Sequence, residues 1–135
     1  MQPHKKKSPV PRILLAVMMM TVGVLHFVQP DGFVKIVPRW LPAPLALVYI
    51  SGVFEFLGGA GLLVARTRRL AGWGLAALYV AVFPANINMA VNQIEPDGMH
   101  LAPWMFWFRL PLQILLIAWA LSVARPDKPP APQQE

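Results

Sequence analysis

Cysteine is absent from the chain, which removes disulfides, thiol relays, iron–sulfur clusters and thiolate metal sites. Its absence also leaves the redox compartment unreadable from cysteine usage. Charge is scarce as well: Asp, Glu, Lys and Arg make up 13% of the residues, against about 25% in ordinary soluble domains. A surface this poor in charge cannot be covered with polar groups in water. Hydrophobic residues supply 56% of the chain, and the mean hydropathy is +0.51. With 135 residues there is material for one domain. The formal net charge of +6 would suit nucleic acid if the basic residues formed a continuous face. They sit instead at the ends of apolar runs, so no nucleic-acid partner is expected. The composition is that of an integral membrane protein.

A helix that crosses roughly 30 Å of hydrocarbon needs about 20 apolar residues. Four runs meet that need: 13–28, 44–64, 70–90 and 102–123. The first is short, and Val10 and Pro11 can extend it into the interface. Within the four runs only Glu55 and Arg109 are charged. Of the 15 prolines, only Pro84 and Pro111 fall in helix interiors. Pro44 opens a helix and Pro103 lies in a first turn, where a missing N–H costs little. The expected fold is all-α, an integral membrane four-helix bundle over 13–124. A basic tail, 1–12, precedes it, and a proline-rich disordered tail, 125–135, follows. The basic front of the first run would also suit a cleaved signal peptide. No small-residue cleavage site follows it, so a retained anchor is expected.

Basic residues in short loops set orientation. Lys5, Lys6, Lys7 and Arg12 precede the first run, Arg66, Arg68 and Arg69 join the second to the third, and Arg125 and Lys128 follow the fourth. The opposite side holds Lys35 and Arg39. Both termini are therefore expected in the cytoplasm. Between the first two runs, Phe33, Ile36 and Val37 have helical spacing, while Lys35 and Arg39 can face headgroups. With Trp40 beside them, the segment 30–42 reads as a short interfacial helix or, alternatively, as an ordinary amphipathic loop.

An ionisable group at the bilayer centre costs about 2.5 to 3.5 kcal/mol on insertion scales and needs a partner or a wet cavity. Glu55 lies in the middle of the second run, with Ser51, Gly52, Gly58 and Gly59 three and four residues away. A face of small residues is where another helix packs closely, so Glu55 should point into the bundle. Arg109 lies in the fourth run, with Gln113 one turn further along the same face. A Glu55–Arg109 ion pair is the expected arrangement; the alternative has Arg109 reaching back to the outer headgroups while Glu55 stays protonated. In the third run Pro84 leaves the Val80 carbonyl without its helical donor, with Asn86 and Asn88 close by. Gly74, Ala77, Ala81 and Ala85 form a small-residue stripe that continues to Asn88 and Asn92. His26 stands near the outer end of the first run, one turn after Gly23.

His26, Glu55, Asn86, Asn88, Arg109 and Gln113 are thus the candidate set. Two readings stay open: a polar pocket that opens outward and binds a ligand, or a hydrogen-bonded knot that fixes helix packing. No catalytic residue stands out. As a metal site the set is poor, because His26 and Glu55 lack a spaced second histidine. The run Met18, Met19, Met20 points in three directions on a helix, which suits packing rather than copper ligation.

Gly23, His26, Phe27, Pro30, Phe33, Ile36, Pro38, Leu41 and Pro42 form one pattern, followed by LVYISGVFE at 47–55, GGAGLL at 58–63 and FPANI at 83–87. From about Thr21 to Ala90 this pattern resembles the DoxX family of small bacterial membrane proteins. The resemblance implies a four-helix protein of the bacterial inner membrane. It also implies a link to redox chemistry, because the family takes its name from a subunit of a thiosulfate:quinone oxidoreductase. The lack of cysteine separates this chain from thiol-handling relatives.

The expectation is an accessory subunit of a redox or stress-related membrane assembly, with a pocket for a quinone headgroup, a lipid headgroup or another small polar ligand. Its partners would be the lipid bilayer and a membrane or peripheral redox protein, or further copies of itself. A scaffold or assembly factor without a ligand is the alternative, followed by a small proton-coupled transporter, which the fixed charge of Arg109 disfavours. The basic asymmetry yields a direct test of topology. Reporter fusions after Arg69 and after Arg125 should report cytoplasm, and one after Asp97 the outer side; a periplasmic signal from the Arg69 fusion would reverse the orientation.

Overall fold

Four helices carry a proline at their start, where the ring fixes the backbone and no intrahelical N–H is lost. The computed structural model describes residues 7–95 and 99–125. Lys5, Lys6 and the expected disordered tail beyond Arg125 lie outside the described residues. The elements are α1 (Val10–Val28), α2 (Pro30–Ile36), α3 (Pro44–Leu63), α4 (Arg68–Asn92) and α5 (Pro103–Ala124). Among the described residues the chain is all-helical, without strands. Four helices, of 19, 20, 25 and 22 residues, are long and apolar enough to cross a membrane. At 1.5 Å per residue they span roughly 28 to 38 Å. The first run does extend through Pro11 to Val10, as its composition allows.

Side chains from neighbouring segments satisfy several helix ends. At the close of α3, the Thr67 hydroxyl donates to the Gly61 carbonyl at 2.8 Å and Arg68 Nε donates to the Leu62 carbonyl at 3.3 Å. At the close of α4, Gln93 takes a left-handed conformation, with φ 48°, and the Ile94 N–H reaches back to the Met89 carbonyl at 3.1 Å. Ile94 then packs on Met89, Ala90 and Phe106, the apolar contact that accompanies such a cap.

The long helices run alternately up and down, so the two termini share one end and α2 lies at the other. α1 packs extensively on α3, α4 on α5, and α3 on α4, whereas α1 and α5 meet only sparsely. Glycine sets the first of these contacts. A Cβ on Gly23 would stand 2.8 Å from the Phe56 nitrogen and 2.9 Å from the Gly52 oxygen, and one on Gly59 would stand 2.8 Å from the Ala16 oxygen. The small face around Glu55 is therefore a helix-packing face, as its composition indicates. Gly58, on the other flank, faces Leu75 of α4.

The core divides in two. Near the termini, Leu15, Ala16, Met19, Leu62, Leu75, Ala76, Tyr79 and Ala120 pack together. Near α2, Met89, Ala90 and Phe106 form a smaller cluster. Outward-facing side chains are apolar along the length of the bundle, with Leu70 76% and Leu115 65% exposed, a surface that suits lipid. Trp73 lies near the terminal end, while Trp40, Trp104 and Trp107 lie near the α2 end, and all four are exposed. Two such aromatic girdles match the two interfaces of a bilayer.

The α1–α3 contact can be tested by adding one methyl group. Gly23→Ala forces a Cβ onto the α3 backbone and should destabilise the protein in detergent by about 1 to 3 kcal/mol. Gly74→Ala, where nothing lies within 4 Å of the new Cβ, should be neutral or gain up to about 1 kcal/mol. Equal melting temperatures for both variants would contradict the close contact.

Candidate functional site

Between the two core clusters the helices enclose a cavity of about 630 Å³. His26 and Met18 line it from α1, Ser51 and Glu55 from α3, Tyr79, Ala85 and Asn86 from α4, and Arg109 and Gln113 from α5. The structure thus brings together five of the six candidate residues. Phe33 and Ile36 of α2, with Val37, Pro38 and Leu41, line the cavity at that end. The short helix exists as expected but ends at Ile36. The thinnest wall lies between α1 and α5, which are tied near the termini, where Trp119 Nε1 donates to the Pro11 carbonyl at 3.1 Å.

α2 is held in place by two polar side chains. The His26 ring stacks on Phe33 with centroids 3.9 Å apart. Asn88 Nδ2 donates to the Ile36 carbonyl at 2.9 Å, and Asn92 donates to Asn88 Oδ1 at 2.6 Å. Asn88 accordingly ties α2 to α4 and does not line the cavity. Of the small residues of α4, Gly74 has nothing within 4 Å of an added Cβ, while Gly72, outside the stripe, meets α5.

Glu55 is 7% exposed and His26 8%. The His26 Nδ1–H donates to the Val22 carbonyl at 2.8 Å, and Nδ1 stands 3.4 Å from Glu55 Oε2. Since a carbonyl can only accept, Nδ1 carries a proton in this arrangement. The expected Glu55–Arg109 ion pair does not form; among the described residues, His26 is the group placed against the Glu55 carboxyl. The reason is helix placement. Gly23 and Gly52 bring α1 onto α3, whereas α5 is positioned by α4 and leaves the Arg109 side chain exposed at the cavity's edge.

Asn86 and Gln113 form a separate chain. Asn86 Nδ2 donates to Gln113 Oε1, and Gln113 Nε2 donates to the Tyr79 carbonyl. Asn86 thus bonds to the neighbouring helix α5, and Gln113 reaches the carbonyl of Tyr79, which lies on the core face, while Val80 is 62% exposed. The Tyr79 hydroxyl in turn donates to Met19 Sδ. The methionine run serves packing, with Met19 buried. Among the described residues no group of three His, Cys, Asp or Glu side chains could hold a metal ion. Sequence reasoning did not single out Tyr79 or Ser51; their signal was only a helical offset from Pro84 and Glu55.

Double-mutant cycles distinguish the two sets. Asn86→Ala and Gln113→Ala should couple by about 0.6 kcal/mol and at most about 1.7, the span found for interhelical hydrogen bonds. Glu55→Gln and Arg109→Gln should be additive within about 0.5 kcal/mol, because the groups do not meet. Strong coupling of the second pair in thermal melts would restore the ion pair.

Among known proteins, no curated protein and no solved structure matches the chain. One family model does, over residues 15–124, from α1 to the end of α5, and it is not a DoxX model. The DoxX resemblance is thereby overturned. The residues that carried it have structural causes that any tightly packed bundle shares: Gly23, Gly52 and Gly59 permit backbone contact, and Pro30 starts a helix. The chain belongs to the family described as Domain of unknown function (DUF8561).

Proposed function

We propose that the chain is a membrane-embedded binding protein that holds the polar head of an amphiphilic molecule inside its bundle. The observation that carries this reading is the cavity itself. Its volume falls within the roughly 300 to 1,000 Å³ usual for ligand sites, and its lining is mostly apolar with a few convergent polar groups. Glu55, Ser51 and Arg109 have no hydrogen bond to another described side chain or backbone group that would use up their capacity. The redox assembly suggested by the DoxX resemblance loses its support with that family and is not carried further. A quinone would enter only as one amphiphile among others, one of its carbonyl oxygens accepting from Arg109.

The basic residues favour a cytoplasmic membrane with both termini inside. Lys7, Arg12, Arg66, Arg68, Arg69 and Arg125 gather at the terminal end of the bundle, and the cavity lies toward the opposite leaflet. A packing role has its own specific support in one part of the site. The Asn86–Gln113–Tyr79 chain satisfies its members internally and joins α4 to α5, so these residues are assigned to architecture.

Filling the cavity tests the reading. Ala85→Leu places extra apolar volume in the lining and should abolish retention of an amphiphile while the melting temperature is kept or raised. The check is mass spectrometry of lipids and quinones extracted from protein purified in mild detergent. Identical extracts from wild type and Ala85→Leu, with nothing retained above the detergent blank, would remove the binding function and leave a scaffold.

A further inference from the structure

The polar groups on the two sides of the cavity differ in kind. Toward α1 and α3 stand the Glu55 carboxyl and, one turn before it, the Ser51 hydroxyl, both able to accept. Toward α5 stands Arg109, whose guanidinium has five N–H donors and no acceptor. Asn86 and Gln113 are engaged with each other and with Tyr79. Glu55 and Arg109 line one cavity and, among the described residues, are not paired with each other; the carboxyl beside His26 keeps further lone pairs and the guanidinium its donors for a guest.

We propose that the guest carries a primary ammonium close to an anionic group on one head, the chemistry of an aminophospholipid. This rests on the cavity being a ligand site, as argued above. An R–NH3+ group has N–H donors and a positive charge, which the Ser51 hydroxyl and the Glu55 carboxyl can meet on the α1–α3 side. A phosphate matches the fork of Arg109. The other candidate heads match only part of the site. A quinone presents acceptors alone and leaves Glu55 unserved. A quaternary choline head carries the charge but has no N–H to donate. A glycerol head brings no positive charge to the Glu55 carboxyl. The remaining lining, from Met18 and Val22 on α1 to Leu112 and Leu116 on α5, is apolar and faces the thin wall between these helices. Acyl chains pass that wall into the bilayer, which favours a lipid over a free zwitterion of the same chemistry.

The experiment titrates the purified full chain in detergent with four probes and follows intrinsic tryptophan fluorescence and melting temperature. The probes are short-chain phosphatidylethanolamine, phosphatidylcholine, phosphatidylglycerol and the water-soluble glycerophosphoethanolamine. Phosphatidylethanolamine should bind about tenfold or more tightly than the choline and glycerol lipids, as expected for charge-assisted hydrogen bonds. Glu55→Gln should reduce its preference over phosphatidylcholine to below about twofold, and Ser51→Ala should lower it by a smaller factor. Arg109→Gln should weaken both lipids alike. Should Glu55→Gln fail to fold, Ser51→Ala and the wild-type selectivity still decide the matter. Equal binding of the choline lipid, or an unchanged preference in Glu55→Gln and Ser51→Ala, overturns the inference. Binding of glycerophosphoethanolamine as tight as that of the lipid overturns the lipid source and assigns the site to a soluble zwitterion. If an amphiphile without an amine is retained and lost in Ala85→Leu, this inference fails and the binding function stands. If no probe binds and Ala85→Leu loses nothing, both fall.

Discussion

Backbone contact between α1 and α3 is the constraint on which the other arrangements depend. In hydrocarbon, helices gain little from hiding apolar surface and associate through close packing and hydrogen bonds. Gly23, Gly52 and Gly59 make that packing close by leaving no Cβ between the two backbones. The same contact carries His26 to the Glu55 carboxyl and, through the His26–Phe33 stack, sets where α2 lies. A bulkier residue at Gly23 would therefore disturb three features at once: the helix pair, the buried acid and the α2 lining of the cavity.

The second helix pair is governed by different chemistry. α4 and α5 are joined by Gly72 against the Ala120 carbonyl and, deeper in the bundle, by the side chains of Asn86 and Gln113. Because each pair has its own lock, the polar groups of one are not forced to answer those of the other. That separation explains why a carboxyl and a guanidinium can line one cavity without meeting. It also divides the candidate residues by role. Asn86, Asn88 and Gln113 are used up by protein partners, whereas Glu55, Ser51 and Arg109 face the cavity with capacity left over.

The spans, the direction of Glu55 and the place of α2 were legible in the sequence because each follows from a local pattern. Twenty apolar residues, a flanking set of glycines and an i, i+3, i+4 spacing are all readable without knowing which helices are neighbours. The Glu55–Arg109 pair was not readable for the same reason. Depth along a helix can be counted, but the rotation and lateral neighbour of α5 are set by Gly72 and Gln113 acting on another helix. Pro84 shows the limit at finer scale. Its missing N–H frees the Val80 carbonyl, but which carbonyl a side chain of α5 reaches depends on how the two helices face each other, and Gln113 reaches that of Tyr79. Motif likeness failed at the family level because glycine contacts and helix-initiating prolines record packing needs shared by unrelated bundles.

A cavity between two packed ends is also what this distribution of contacts would sustain. The cluster near the termini draws residues from all four long helices, and the cluster near α2 pins α4 and α5 together with Ile36. Collapse of the space between them would require α5 to approach α1. The helices are held near the termini by Trp119 on Pro11, and Gln113 fixes α5 to α4 beside the cavity. Lining atoms that face a void forfeit dispersion contacts on that side. In water the hydrophobic effect would press such a wall inward, but a bilayer exerts no comparable pull between helices. The surrounding lipid instead offers molecules whose chains match the apolar lining and whose heads carry the charges that Glu55 and Arg109 lack. The fold therefore keeps this space open between two packed ends.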